Sequence, residues 1–254
     1  MKFKTILTLF ILSIALASCD TLLNIADSID TGSQGSVKTP LSEGEVVKGL
    51  KRALDIGAEN AVSDLSVTNS FYGNNAYKIL LPPEAKIITD NKNNSLLQAV
   101  GITDLINDVE KSMNKAAEKA VIKAKPIFIN AIKNMSIQDA FEILNGGDTA
   151  ATHFLRTATY STLYSQFKPE VSKVLDQPVM QGVSTNKAWS NLTTSYNQVA
   201  MFVPKWNKVN TKLDSYVTDK ALFALFEQVK IEESKIRKDP MARIDDILKR
   251  VFGN

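Results

Sequence analysis

The sequence predicts an all-α fold, a single domain of about eight helices that follows an N-terminal export segment. After residue 41, apolar residues recur mostly three and four positions apart, the spacing that places them on one face of a helix. Capping residues, glycines and prolines divide this pattern into segments of helical length. A single strand-like stretch lies near residues 70–82, so we expect at most one short β-hairpin, placed there.

Residues 1–18 have the composition and order of a lipoprotein signal peptide. Two lysines precede an apolar run over residues 5–15, which is shorter than a bilayer span of about 20 residues. Small residues follow, and LASC at 16–19 resembles the bacterial lipobox, in which the cysteine is acylated and the chain is cut just before it. We therefore expect lipid attachment at Cys19. The alternative is an ordinary signal peptide that ends beside a cysteine.

Acylation of Cys19 occupies the only cysteine of the chain and leaves the folded domain without thiol or disulfide chemistry. We interpret residues 19–40 as a lipidated N-terminus and a flexible tether with a reach of roughly 25 Å. No acidic run follows Cys19, which favours the periplasmic face of the outer membrane. Residues 41–254 then form the helical domain.

The charge balance gives no case for a nucleic-acid partner. The net charge of +3 includes the two signal lysines and falls to +1 without them. The expected partners are the membrane, through acylated Cys19, and an envelope protein or a lipid.

The first helix of the domain begins after Ser42, which forms a capping box with Glu45, and runs to about residue 65. Small residues recur in it every four positions, and two of them are Gly49 and Gly57. A glycine inside a helix costs roughly 1 kcal/mol relative to alanine, so we expect a partner helix packed closely against this row.

The next helices follow from capping residues and prolines. Thr103 caps a helix that runs to about residue 124, and Pro126 interrupts the pattern before a further helix. Ser136 then caps a short helix.

Residues 145–147, Asn-Gly-Gly, predict a left-handed helix C-cap, and Asp148 predicts the N-cap of the next helix, interrupted near its end by Pro169. This assignment makes Asn145–Thr149 helix punctuation; the alternative, an anion-binding loop, lacks the preceding strand and the lysine of a phosphate loop. The remaining predicted helices cover 187–203, 214–237 and 241–252.

Four segments of the chain carry a family resemblance: GLKRAL at 49–54, MNKAAEKAVIKAKPIFINAIKNMSIQDAFEILNGGDTAATHFLR at 113–156, LYSQFKP at 163–169 and YVTDKALFALFEQVKIEESKIRKDP at 216–240. In this order they resemble an uncharacterised bacterial envelope family, the domain of unknown function 4197. The resemblance covers nearly all of the domain from residue 41. It implies an exported, mainly helical protein and no particular activity.

The sequence predicts no catalytic, metal or cofactor site. His153 is the only histidine, so every catalytic triad that needs an imidazole base would depend on it. The chain also lacks the glycine-framed serine turn that presents the nucleophile in many hydrolases. No HExxH pattern is present, and Ala150 stands where a Glu-x-x-His motif has its carboxylate. We expect His153 to be a surface or half-buried helix residue.

A candidate polar pocket comprises Glu110, Asn114, Glu118 and Arg156. The first three recur every four residues, and at 100° per residue Glu110 borders the apolar face while Glu118 turns towards solvent. A buried Glu110 beside Arg156 would make a polar pocket. The alternative is ordinary pairing along the helix surface between Glu118 and neighbours such as Lys115.

A row of lysines follows the same spacing on the same helix. Like charges four residues apart repel mildly, so the row needs acidic neighbours such as Asp108 or an anionic partner such as lipid head groups. A solvated helix face is the alternative. The members of this lysine row are Lys111, Lys115, Lys119 and Lys123.

Three function hypotheses remain. The leading one is a lipid-anchored, non-catalytic protein of the periplasm with a role in binding or envelope organisation. The second is a carrier or sensor of an apolar ligand such as a lipid, because Tyr160, Tyr164 and Phe167 supply aromatic area that otherwise belongs to the core. The third is a hydrolase that uses the carboxylates of Glu110 and Glu118 alone.

Overall fold

Helices dominate the part of the chain that the computed structural model describes, which comprises residues 41–86, 90, 102–180, 182–201, 208 and 212–253. The predicted signal peptide and tether, with Cys19, lie outside these residues. Leu41–Asn254 form one compact unit. The all-α prediction is confirmed, with helices α1 (Glu43–Ser66), α2 (Ile102–Val121), α3 (Ala124–Asn134), α4 (Ile137–Asn145), α5 (Ala150–Leu175), α6 (Thr185–Ala200), α7 (Leu213–Lys238) and α8 (Asp246–Phe252).

Capping boxes start two of these helices, as predicted. At α1 the Ser42 hydroxyl accepts from the Glu45 N–H at 3.3 Å, and the Glu45 carboxylate accepts from the Ser42 N–H at 3.0 Å. Ser136 and Asp139 make the same reciprocal pair at α4. Each box satisfies N–H groups that have no partner within the helix.

Pro126 and Pro169 affect their helices differently. Pro126 lies in the first turn of α3, where a missing N–H is harmless, and the predicted break before it is confirmed. The predicted interruption at Pro169 is wrong, because α5 continues through it to Leu175. Phe167 and Val171 on either side of this proline are fully buried, and their packing keeps the helix continuous despite the lost hydrogen bond.

The predicted caps between α4 and α5 are also wrong. Asp148 forms an ion pair with Lys238, and the N-cap of α5 is Thr149, whose side chain makes no capping hydrogen bond. Gly146 ends α4 at φ −79° and is not left-handed. A Cβ on Gly146 would lie 2.6 Å from the Cβ of Ala150, so glycine serves the close approach of the two helices.

The two-stranded sheet lies elsewhere than predicted. Strands β1 (Pro178–Met180) and β2 (Val183–Ser184) pair antiparallel, and Gly182 between them adopts φ 78°, which favours glycine. Residues 70–82, where the hairpin was expected, form turns and extended chain. Their backbone finds other partners, described below.

The main core lies where α2, α5 and α7 meet α1. Helix α2 is central, and five of its last nine residues are fully buried: Met113, Ala116, Ala117, Ala120 and Val121. Four of the α2 residues facing this core carry no more bulk than a methyl or isopropyl group, which lets neighbouring helices approach closely.

Helix α8 has a hydrophobic cluster of its own. It begins at Asp246, later than the predicted residue 241, because a 3₁₀ turn at Pro240–Ala242 precedes it. Leu248 packs there with Ala53 of α1 and Ile236 of α7, apart from the main core.

Candidate functional site on helix α2

The inward polar row of α2 comprises Glu110, Asn114 and Glu118, and all three side chains are buried. Asn114, only 1% exposed, accepts from the Ile79 N–H at 2.9 Å and donates to the Ile79 carbonyl at 2.8 Å. Glu110 accepts from the Leu81 N–H at 3.3 Å, and Glu118 accepts from the Phe71 N–H at 3.5 Å.

These bonds explain why residues 71–81 are not a hairpin. An extended segment needs partners for its backbone groups, which a neighbouring strand usually supplies. Here side chains on three successive turns of α2 take that place. The inward polar row therefore holds a chain segment and has no free polar surface to offer a substrate.

The prediction that Glu118 turns towards solvent is wrong. The segment that begins at Phe71 covers this side of α2 and leaves Glu118 only 7% exposed. Burial raises the pKa of the Glu118 carboxyl, while hydrogen bonds from the backbone of Phe71 and Asn69 oppose this. Burial is the larger cause.

Arg156 does not share the surroundings of the inward polar row. It is exposed on α5, and its guanidinium lies 5.4 Å from the ring centroids of both Tyr160 and Phe226. Glu110, the residue expected beside it, bonds instead to the backbone of Leu81. The structure thus brings together three of the four predicted pocket residues and places Arg156 in a cation–π contact.

The arrangement of Glu110 and Glu118 does not suit paired-carboxylate hydrolysis. Eight residues of helix separate their Cα atoms by about 12 Å along the axis. Their carboxylates accept from backbone groups ten residues apart in the covering segment, Phe71 and Leu81. Hydrolases of this type hold two carboxyl groups roughly 5 to 10 Å apart across an open substrate site.

Three members of the lysine row lie on the exposed side of α2, whereas Lys123, predicted on the same helix, follows its end and is the N-cap residue of α3. Two members are paired: Lys111 Nζ lies 3.9 Å from Asp108 Oδ1, and Lys123 Nζ lies 3.2 Å from Glu170 Oε1. Lys115 and Lys119 are exposed, and within the described part of the chain neither forms an ion pair. The expected neighbour Glu118 is buried and accepts from the Phe71 N–H, and the charges of Lys115 and Lys119 act on its carboxyl without a close ion pair, opposing the rise of its pKa.

A cleft of about 260 Å³ opens beside the lysine row, between α2, the end of α5 and strand β1. Its charged groups are two ammonium groups, Lys111 and Lys115, and one carboxylate, Asp108. The buried hydroxyl of Ser112 also lines it and accepts from the Thr185 hydroxyl at 2.9 Å. We call this the lysine cleft; its lining is Asp108, Lys111, Ser112, Lys115, Val174, Gln177, Pro178 and Val179.

A second buried polar cluster, missed from the sequence, joins α4, α5 and α7. Glu233 accepts from the N–H groups of Ala151 at 3.0 Å and Thr152 at 2.8 Å, so a side chain of α7 caps α5. Arg237 donates to Glu233 at 2.9 Å and to the Ile143 carbonyl at the end of α4, also at 2.9 Å. The Glu-x-x-x-Arg spacing was the available signal, but it also fits a solvent-exposed pair.

One apolar cavity, lined by described residues, is small. It measures about 30 Å³ and lies between α1, α5, α7 and α8, beside Glu233 and Arg237. Such a volume suits one or two water molecules and not an acyl chain. Tyr160 and Tyr164 stack at 6.5 Å between ring centroids, and Phe167 is fully buried, so these aromatics belong to the core and its border.

His153 is an exposed residue of α5, as the sequence predicts. Among the described residues no group of three or more His, Cys, Asp or Glu side chains is arranged to hold a metal ion. In the same part of the chain, no helix is both long enough and apolar enough to cross a bilayer.

Comparison with known proteins identifies the family and no closer relative. No curated protein and no solved structure matches the chain. A family model described as a protein of unknown function, DUF4197, matches residues 40–253. This match spans the helical domain from α1 to α8, and the chain belongs to the DUF4197 family.

Proposed function

We propose that this chain is a lipid-anchored, non-catalytic binding protein of the cell envelope. It is held through acylated Cys19 on the periplasmic face of the outer membrane, and its helical domain binds an anionic group in the lysine cleft. The ligand class is a phosphate or carboxylate group, because the cleft presents ammonium groups and an amide.

Two observations, one on each side of α2, support this proposal. On the inner side, Glu110, Asn114 and Glu118 bond to the backbone of residues 71–81. On the outer side, Lys111 and Lys115 line an open cleft. Carboxylates that accept hydrogen bonds from backbone groups favour a role without general acid–base catalysis. Exposed ammonium groups beside a concave surface favour ligand binding.

The electrostatics of the cleft favour weak and salt-sensitive binding. Asp108 offsets part of the positive charge, and both lysines are open to water. Exposed ion pairs of this kind contribute about 1 kcal/mol or less each. We therefore expect an affinity weaker than millimolar for an isolated phosphate, and tighter binding only for a ligand that also covers Val174 and Val179.

The binding site is tested by a charge-reversal pair. Chemical shifts of amide groups are followed by NMR while glycerol phosphate is added to the domain. Lys115→Glu should abolish the shifts around α2 and β1. The matched control is Lys119→Glu, one turn further along α2 and outside the lysine cleft, which should leave them unchanged. Equal effects of both variants would mean a diffuse charge effect and would contradict a site in the cleft.

The anchor is tested separately by cell fractionation. The wild-type chain should remain with the outer membrane after washing with high salt, since acyl chains and not charges retain it. Cys19→Ser should release the chain or leave its signal peptide uncut. Retention of a processed Cys19→Ser chain in the washed membrane would contradict the anchor.

A further inference from the structure

A hydrogen-bonded turn near the C-terminal end of the domain exposes two large apolar residues. Met241 is 86% exposed and Ile244 is 64% exposed. The turn between α7 and α8 (residues 239–244) is nevertheless held by defined hydrogen bonds. Asp239 accepts from the Met241 N–H at 2.9 Å, and Arg243 donates to the carbonyls of Ile236 at 3.1 Å and Arg237 at 2.8 Å.

This pair of residues matters because exposed apolar residues usually lie singly on a surface. Here hydrogen bonds hold the backbone of the turn, and the side chains of Met241 and Ile244, three residues apart, are both exposed. The turn therefore presents a preformed apolar tip to whatever lies outside it.

The turn lies beside α1, at the end of α8 that is farther from the chain entry at Leu41. Helix α8 runs antiparallel to the start of α1: Asp245 pairs with Arg52 at 3.0 Å, and Arg250 pairs with Glu45 at 2.7 Å. Glu45 is four residues from Leu41, the first described residue of the domain. The turn directly precedes Asp245, so it lies near Arg52, and α8 spans the distance between the turn and the start of α1.

A basic cleft adjoins this side. It measures about 560 Å³ and is lined by Lys48, Lys51 and Arg52 of α1, opposed by Asp55 and Asp245. The Lys51 ammonium group donates to the Lys133 carbonyl, and Arg52 is held by Asp245. The cations exceed the carboxylates by one, which suits the phosphate of a lipid head group without making charge the main attraction.

We propose that the turn at residues 239–244, helix α8 and the start of α1 form the face with which the domain lies against a lipid bilayer. Met241 and Ile244 enter the interface, and the basic cleft contacts head-group phosphates. This inference relies on the proposed anchor at Cys19 for the occupant, since a predicted tether of roughly 25 Å would hold the domain within reach of the membrane.

The size of the effect follows from apolar burial. Moving a methionine or isoleucine side chain out of water favours binding by about tenfold per residue or more. The one excess charge in the basic cleft contributes less, because salt screens exposed charges. We therefore expect membrane contact that depends on Met241 and Ile244 and that persists in high salt.

A probe of local polarity tests the contact. A His tag replaces residues 1–19 and holds the chain on vesicles that contain a nickel-chelating lipid. Cys19, the only cysteine, is thereby absent, so Met241→Cys carries a single NBD fluorophore. The matched control is Val67→Cys, since Val67 is also exposed and follows the other end of α1. The vesicles are phosphatidylethanolamine with and without phosphatidylglycerol.

The proposal predicts a blue shift and increased emission at position 241, and no change at position 67. Ile244→Ser in the labelled chain should reduce the shift. No change at 241, or equal changes at both positions, would overturn the proposal and leave a protein partner as the occupant. Because the tag replaces Cys19, failure of acylation in the cell affects only the proposed anchor and not this result.

Discussion

Asn114 forms more of the buried hydrogen bonds than Glu110 or Glu118, the other two residues of the inward polar row. Its amide satisfies both backbone groups of Ile79, itself 1% exposed, and also donates to the Glu110 carbonyl at 2.7 Å. Replacement by leucine leaves a buried N–H and a buried carbonyl without partners. Each costs about 1–3 kcal/mol, so Asn114→Leu should destabilise the domain by about 2–6 kcal/mol.

Urea unfolding followed by circular dichroism measures this loss. Lys115→Ala, the next residue and exposed, should change the free energy of unfolding by less than about 0.5 kcal/mol. If Asn114→Leu were as mild as this control, the segment at 71–81 would not depend on the inward polar row.

Glu118 makes stability depend on pH in a direction opposite to most carboxylates. Burial raises its pKa above the ordinary value of 4.5, so the folded state binds the proton more tightly than the unfolded state does. Its contribution is fully present below pH 4.5 and is lost as pH rises through the raised folded-state pKa. Glu118→Gln removes this titration, so the variant should gain stability relative to wild type as pH increases above 4.5.

Urea midpoints of wild type and Glu118→Gln across this pH range measure the effect. Glu142→Gln, on the exposed side of α4, controls for the loss of one charge. A difference between Glu118→Gln and wild type that stays constant with pH would contradict the raised pKa.

Single residues also mark the limit of sequence reasoning. The spacing of Glu110, Asn114 and Glu118 identified a connected row, which the structure confirms in its hydrogen bonds. The partner was not predictable, because residues 71–81 have no periodicity that relates them to their partners on α2, which are 29 to 47 residues away in sequence. Arg156 was grouped with Glu110 by charge alone, and its contact with Tyr160 and Phe226 depends on the packing of α5 against α7.

At the level of elements, α5 depends on α7 for its start. Its own N-cap residue makes no capping bond, and Glu233 supplies the acceptors instead. Glu233→Ala also leaves the mostly buried guanidinium of Arg237 without its carboxylate. Removing one partner of a buried pair costs about 3–5 kcal/mol, so this variant should be among the least stable.

Thermal and urea unfolding of Glu233→Ala measure the loss. Glu227→Ala, two turns earlier on α7 with an exposed Lys230 partner, should cost about 1 kcal/mol or less. The double variant Glu233→Ala with Arg237→Ala should recover part of the loss, because the unpaired charge is gone. A double variant equal to the sum of the single losses would contradict the coupling.

The two glycines of α1 should respond differently to alanine. A Cβ on Gly49 would lie 2.5 Å from Val251 Cγ2 of α8, whereas one on Gly57 would lie 3.5 Å from Glu232 Cβ, an ordinary contact. Gly57→Ala should stabilise the domain by about 0.5–1 kcal/mol through helix propensity. Gly49→Ala should displace α8 and be destabilising by about 1–3 kcal/mol.

Trypsin cleavage within α8 at Lys249 and Arg250 separates the two cases. Gly49→Ala should speed this cleavage, and Gly57→Ala should leave it slow. Faster cleavage in both variants, or in neither, would contradict the close packing of α8 on Gly49.

The ends of helices were predictable where a capping residue or a proline within a few positions determines them. Both serine capping boxes and the break at Pro126 depend on a few adjacent residues, and both predictions are confirmed. The errors at Pro169, Asp148 and residues 70–82 have one cause: tertiary contacts replaced a local signal. Such contacts join residues too distant in sequence for a local pattern to reveal.

In the whole molecule, α2 has a different role on each of its two sides. Its inner side forms hydrogen bonds to the backbone of residues 71–81, and its outer side presents the ammonium groups of Lys111 and Lys115. We propose that the face formed by α8 and the turn before it lies against the membrane and that the lysine cleft binds an anionic ligand. All-α class and family were predictable from the sequence, because helical periodicity and the ordered segments extend over the domain.

Intact-mass spectrometry of the mature chain extracted from envelopes with detergent tests the central claim most directly. The account predicts a chain that begins at Cys19 and carries the mass of a diacylglyceryl group and an N-terminal acyl chain. Cys19→Ser should lack this product. A wild-type chain that begins at another residue, or one that begins at Cys19 with no added acyl mass, would contradict the account.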